Sequence, residues 1–219
     1  MPTIIPIGMT IDDPKKRRTY TRDDYERMTT WAHKNVDFDD TRAVMKKFQR
    51  TLDEYTKDLT AKRLDEVFDK LLKARDKYES EVKRAFRKDI LEDVYDRAVD
   101  VYGRKAASRI KEGWRTAMTL DTYGVFEDLF EEFVGRQVPV MTKEELIKTM
   151  LSKRVPDYEY TTKAGTKVKV YLWSKVEENI LKNMVRAGKS LKEIKELMPY
   201  RTISSIRNKI YRLRQKGEL

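Results

Sequence analysis

Between Pro14 and Gly103 the chain runs 88 residues with neither Gly nor Pro, and apolar side chains return there every three or four positions. The series is Val44, Phe48, Leu52, Tyr55 and Leu59, then Leu64, Phe68 and Leu71, then Tyr78, Val82, Phe86, Ile90 and Val94. Steps of three and four place these residues on one side of an α-helix, whereas a strand would repeat every two. The stripe is interrupted near residues 60–63 and again near 74–77. This predicts two or three helices, or one long helix with register shifts, over about 41–102. A coiled coil is an alternative, although the steps of four do not keep a strict heptad.

After Gly103 the pattern shortens, with Gly113, Gly124 and Gly135 as expected punctuation and a linker at 135–139. Thr142-Lys143-Glu144-Glu145 has the spacing of a capping box and opens a helix to about Arg154, which Pro156 ends. The period then changes. Tyr158, Tyr160 and Thr162 alternate, Lys163-Ala164-Gly165-Thr166 supplies a turn, and Val168, Val170 and Leu172 alternate again, which is the pattern of a β-hairpin.

The last stretch carries three more helix starts. Ser174-Lys175-Val176-Glu177 and Ser190-Leu191-Lys192-Glu193 are capping boxes, Gly188 closes the first helix, Pro199-Tyr200-Arg201 forms a turn, and Thr202 caps a third helix. Ile203, Ile206, Ile210 and Leu213 are expected to face inward on that helix, with Leu191, Ile194 and Leu197 opposite them. Three short helices joined by tight turns around a small core form a helix-turn-helix arrangement.

At the other end, Pro2, Pro6, Gly8 and Pro14 punctuate residues 1–18, which Lys15-Lys16-Arg17-Arg18 close as a flexible basic arm. The expected organisation is therefore mainly α. It comprises the arm at 1–18, an elongated helical region at 19–155 suited to oligomerisation, a hairpin or linker at 156–172, and a three-helix module at 173–219.

Composition narrows the chemistry. The 219 residues carry 48 Lys+Arg against 37 Asp+Glu, a formal net charge of +11. There is no Cys and one His, which excludes disulfides, thiolate metal sites and mechanisms that need several imidazoles. Seven Asn and Gln in all, with abundant Lys, Glu and Arg, follow the heat-adapted trend. No apolar run reaches the ~20 residues of a membrane span, and Met1 to Ile7 lack the basic start of a signal peptide. The expected setting is the cytoplasm of a prokaryotic or virus-infected cell, a virion, or the nucleus of a eukaryote.

The excess charge is concentrated. Residues 157–219 hold 15 Lys/Arg and 7 Asp/Glu, leaving 33 and 30 for the rest, and between Arg201 and Lys216 six basic residues occur without an acid. Such a segment attracts a polyanion, because each neutralised phosphate releases condensed counterions.

Trp173-Ser174-(x)2-Glu177-Glu178, Gly188, Leu191-(x)2-Ile194-(x)2-Leu197, Pro199, Arg201-Thr202 and Ile206-(x)3-Ile210 together resemble a Myb/SANT-like DNA-binding domain. Of the three spaced bulky residues typical of that family, Trp173 keeps the first, and Leu191 and Ile210 stand at the second and third. The resemblance covers about residues 173–214 and implies a core of Trp173, Leu191, Ile194, Leu197, Ile206, Ile210 and Leu213. It also implies a third helix lying in the major groove of double-stranded DNA, with Arg207, Asn208 and Tyr211 towards the bases. The helical wheel independently sets Ser204, Arg207, Asn208, Tyr211 and Arg214 opposite the apolar side. Arg pairs bidentately with G and Asn with A, so these residue types suit base reading. Arg201, Lys209, Arg212, Arg214 and Lys216 are expected at phosphates, which position without specifying. Some SANT-type members bind proteins instead, with acidic or neutral third helices; this one is basic.

Other features have plainer explanations. Tyr20 to Asp24 followed by Trp31 is faintly similar to the start of a second such repeat, but matching later helices are missing and an ordinary capped helix is favoured. Lys163, Lys167 and Lys169 on the hairpin suit either a DNA-flanking wing or edge lysines that block strand pairing, the second being favoured. Asp89, Asp93, Asp96 and Asp100 stand at helical spacing that suits Mg²⁺ chemistry, yet Arg87, Lys88 and Arg97 among them favour a surface laced with ion pairs. His33 stands without a nucleophile pattern. No catalytic residue, metal site or cofactor is expected. The resulting expectation is a DNA-binding regulator or architectural protein that self-associates through its N-terminal helices. Its alternatives are a viral packaging component and, behind that, a metal-dependent nuclease or recombinase.

Overall fold

The computed structural model describes residues 19–137 and 141–219, so the basic arm expected at 1–18 lies outside the described residues. Among the described residues, eight helices and one two-stranded sheet follow in the order α1 (Arg22–Asn35), α2 (Asp39–Tyr55), α3 (Ala61–Leu120), α4 (Val125–Gln137), α5 (Lys143–Ser152), β1 (Tyr158–Thr161), β2 (Lys167–Val170), α6 (Lys175–Arg186), α7 (Leu191–Leu197) and α8 (Ile203–Gln215). The protein is mainly helical with a short hairpin, as the hydrophobic pattern predicts. No helix among the described residues is long and apolar enough to cross a membrane.

The chain divides into two compact units. One unit takes the chain up to Gln49 and then Lys77–Val140, and the other takes Arg50–Asp76 and Met141–Leu219. The stripe interruption near 74–77 therefore does not end a helix. Backbone hydrogen bonding in α3 continues through it, and the apolar residues on either side serve different cores. The interruption near 60–63 does mark a real break, between α2 and α3.

In the first unit, α1 begins at Thr21, whose side chain accepts from the Asp24 amide while the Asp24 carboxylate accepts from the Thr21 amide. It is the ordinary capped helix that the sequence favours. Aromatic pairs fill the core: Trp31 meets Trp114 edge-on at 5.3 Å, Phe38 stacks on Phe86 at 5.1 Å, and Phe48 on Tyr78 at 4.2 Å. Tyr78, Val82, Phe86, Ile90 and Val94 are all buried, so the stripe that suggested a coiled coil is covered by helices of its own chain. Burial pushes the Tyr78 phenol up to about 12.

Asp89 is also buried, where an exposed ion-pair surface was expected. Its Oδ2 accepts from the Thr41 amide at 2.9 Å and the Thr41 hydroxyl at 2.6 Å, which fastens the first turn of α2 to α3. Its neighbour Asp93 pairs with Arg97 at 2.9 Å. Gly103 interrupts α3 with φ 78 and ψ 163, a conformation that L side chains resist. Gly113, expected to punctuate, lies inside the helix and lends its carbonyl to the Tyr20 hydroxyl at 2.8 Å.

In the second unit, two clusters meet. Leu52, Leu59, Leu64, Val67, Leu71, Leu146, Met150, Leu151 and Met198 form the larger, and Leu181, Ile194, Ile206 and Leu213 form the smaller between α6, α7 and α8. Trp173 packs against both. The three-helix module is thus not free-standing, because α7 delivers Leu197 and Met198 to a core built by α3 and α5. The hairpin is antiparallel with Tyr158 opposite Val170 and Tyr160 opposite Val168, and Gly165 at φ 79 permits its turn.

Candidate nucleic-acid interface

Local sequence chemistry fixes the three helices. Ser174 and Ser190 form reciprocal capping boxes with Glu177 and Glu193, and Thr202 accepts from the Ser205 amide to start α8. Glu193 also accepts from Lys189 at 2.8 Å, and together with the Ser190 bonds this holds its carboxyl down at about 2. One positioning residue has no signal in the local sequence. Asp65 on α3 accepts from the amides of Lys175 and Val176 at 3.0 and 2.9 Å and so caps α6 from a distance of more than a hundred residues along the chain. A carboxylate at that end of a helix also complements the macrodipole.

Beneath the module lies a buried ionic cluster. The side chains of Arg154 and Glu177 are fully inaccessible, and that of Arg201 is 3% exposed. Arg201 Nη2 donates to both carboxylate oxygens of Glu177 at 3.0 and 3.1 Å and to the Leu172 carbonyl at 2.6 Å, while Nη1 donates to the Tyr171 carbonyl at 2.7 Å. Its guanidinium carbon stands 3.9 Å from the centre of the Trp173 ring, a stacked cation–π contact. Arg154 donates to the carbonyls of Leu59, Val155 and Leu172 and to Asp157 Oδ2 at 3.1 Å. Two guanidinium groups and two carboxylates leave the cluster neutral, which is the condition for burying charge at all. The Tyr200 hydroxyl completes it with a 2.5 Å bond to Glu177, and burial together with that carboxylate raises its pKa well above the ordinary phenol value. Burial also acts to raise Asp157, but bonds from the Ala61 and Leu172 amides and from Arg154 outweigh it, and the carboxyl lies below its usual 3.8.

This placement corrects one expected phosphate contact. Arg201 is spent inside the protein, bound to Glu177 and to carbonyls at the end of the hairpin, and is not available to a ligand. Lys209 is likewise engaged, paired with Glu178 and 5.6 Å from the Trp173 ring centre. Ile203, expected inward, is 45% exposed because the chain enters α8 there and the buried side is taken by Ile206 and Leu213. Of the remaining expected core, Ile194 is buried, while Trp173, Leu191, Leu197 and Ile210 are half-buried. Leu181 and Met198, both fully buried, were absent from the expected set.

The rest of the expected interface stands on one side of α8. Ser204, Arg207, Asn208, Tyr211, Arg212, Arg214 and Lys216 are all exposed. Arg207, Tyr211 and Arg214 share a wall of a groove of about 400 Å³ with Val185, Leu191 and Ile210. Among the described residues, Arg207, Arg212 and Arg214 form no ion pair and their side chains make no hydrogen bond. Of the other cations of the module, Lys182 and Arg186 bind Glu218, Lys189 binds Glu193 and Lys195 binds the Pro199 and Arg201 carbonyls, while Lys175 and Lys192 are exposed and form no ion pair among the described residues. Among the described residues no three His, Asp or Glu side chains gather to hold a metal ion.

No family model matches the chain, and neither a curated protein nor a solved structure matches it.

Proposed function

We propose that this protein binds double-stranded DNA through the outward side of α8, in a regulatory or architectural role. The observation that carries this is the sorting of charge in the last three helices. Cations that face the protein have acidic or carbonyl partners, whereas Arg207, Arg212 and Arg214 face solvent on a helix that has no acid along its length. Leaving three unpaired guanidinium groups on one short helix is unfavourable in isolation and becomes favourable when phosphates replace their counterions. Arg207 and Asn208 supply the bidentate donors and acceptors that distinguish bases, with Tyr211 and Ser204 beside them.

The N-terminal apolar stripe that suggested self-association is buried within the chain, so a dimer would use other surfaces. The test is selection of bound duplexes by the full-length protein, with the mass of the complex measured in solution. An enriched site whose affinity falls in Arg207→Ala supports the proposal. Failure to bind any duplex at low ionic strength overturns it, and a large ring or filament on DNA assigns the protein to packaging.

A further inference from the structure

The hairpin is the least buried regular element of the second unit. All four residues of β1 are exposed, as are Lys167 and Lys169 on β2, so it does not act as a core element. The strand pairing sorts its side chains. Tyr158, Tyr160, Val168 and Val170 share one face, and Glu159, Thr161, Lys167 and Lys169 share the other. Lys163 sits in the turn. Glu159 is the single acid between Tyr158 and Val170, and it pairs only distantly with Lys169 at 3.9 Å, whereas Lys163 and Lys167 form no ion pair among the described residues.

The base of this hairpin is fastened to the start of α8. Arg201, one residue before the Thr202 cap, donates to the carbonyls of Tyr171 and Leu172, which continue β2. Asp157, one residue before β1, accepts from the Leu172 amide at 2.8 Å and from Arg154, and its own amide donates to the Val170 carbonyl. The buried cluster therefore holds two basic surfaces in a fixed relation: the outward side of α8 and the lysine face of the hairpin. Four strand residues extend about 14 Å at ~3.4 Å each, and a duplex presents a phosphate about every 1.7 Å of axis. The hairpin thus has the length to meet phosphates beyond those that α8 touches.

We propose that the hairpin is a second DNA-contacting element, with Lys163 and Lys167 on the phosphate backbone flanking the site that α8 reads. It rests on DNA binding by α8 and adds a contact that sets footprint and salt dependence without adding sequence preference.

The test compares wild type with the double variant Lys163→Ala/Lys167→Ala on a duplex containing a selected site, over a series of salt concentrations. Both lysines are exposed, so the thermal melt should be unchanged. Loss of two phosphate contacts should reduce the slope of log K against log salt by about two and weaken binding roughly tenfold at moderate salt. The relative preference among sequences should stay as in wild type. A control, Lys70→Ala/Lys73→Ala, removes the same charge from exposed positions on α3 and should leave the slope alone. If the hairpin variant keeps the wild-type affinity and slope while Arg207→Ala weakens binding, the hairpin contact is refuted and the α8 interface stands. If the control loses as much as the hairpin variant, the effect is net charge and the hairpin contact is refuted. If wild type binds no duplex, both proposals fall.

Discussion

Arg201 holds both carboxylate oxygens of Glu177 with one nitrogen, at 3.0 and 3.1 Å, in a place where both side chains are buried. Glu177 is at once the reciprocal partner of the Ser174 cap and the anion between two buried guanidinium groups. Removing it leaves Arg154 with Asp157 alone and strips Arg201 of its counter-charge. Glu177→Gln should therefore destabilise the protein by about 3–5 kcal/mol, the usual consequence of unpairing a buried charge. Chemical denaturation followed by circular dichroism checks this. A loss below 1 kcal/mol would show that the cluster contributes little.

The same relationship separates two arginines that look equivalent in sequence. Arg201→Ala should lower stability sharply and disturb DNA binding only through the fold. Arg207→Ala should leave the melt unchanged and cost about 1–3 kcal/mol on a selected site, as should Asn208→Ala, with relaxed preference at one base pair. Parallel melting and binding curves for the three variants decide between these roles. Equal binding by wild type and Arg207→Ala would remove that residue from the interface.

Phosphate contacts are separable in the same manner. Arg212→Ala and Arg214→Ala should weaken all duplexes alike and reduce the salt slope by about one each. Lys209→Ala should change the slope less, because Lys209 is bound to Glu178 and its side chain is mostly covered. Filter binding at four or five salt concentrations reads this directly, and a larger slope change for Lys209 than for Arg212 would contradict the assignment.

Acid should act on the second unit through Asp157. Its folded pKa lies below the unfolded value, so its contribution is complete above the usual 3.8 and is lost as pH falls through the folded value. Asp157→Asn should accordingly be less stable than wild type at neutral pH, with the difference shrinking as pH falls below about 4. Asp89 has the opposite sign. Burial, only partly offset by the Thr41 bonds, raises it, so its charged form opposes folding above that raised value. Asp89→Asn should therefore lose less at pH 7 than Asp157→Asn does. Urea titrations at pH 7, 5 and 3 give the comparison, and parallel pH profiles for Asp157→Asn and wild type would refute the first part.

A fragment of residues 157–219 should fail to melt cooperatively. It lacks Leu59, Leu64, Leu71, Leu146 and Met150, which cover Met198, and it lacks Arg154 and Asp65. A cooperative transition in that fragment, with wild-type helicity, would show the module to be autonomous.

What was legible in the sequence was what local chemistry decides. The capping boxes at Thr142, Ser174 and Ser190, the hairpin turn at Gly165 and the break at Gly103 each depend on residues within a few positions, and all are present. The exposed side of α8 also followed from helical periodicity, apart from Ile203 at its first turn. What escaped were relations between distant residues. A charge run looks uniform in one dimension, so nothing near Arg201 distinguishes it from Arg207 until Tyr171, Leu172 and Glu177 are seen around it. The grouping of Arg50–Asp76 with Met141–Leu219 was hidden for a similar reason. Helical spacing shows that 64, 67 and 71 share a face but not that Met198 lies against it.

Tyr78 and Tyr200 lie in different units and are both shielded, the first by burial and the second by burial and the Glu177 charge. Each unit consequently contains a phenol that needs stronger alkali than an exposed tyrosine to ionise for as long as that half is intact. Ultraviolet absorbance at rising pH, read on Tyr78→Phe and Tyr200→Phe, then gives two separate optical clocks for the opening of the two halves.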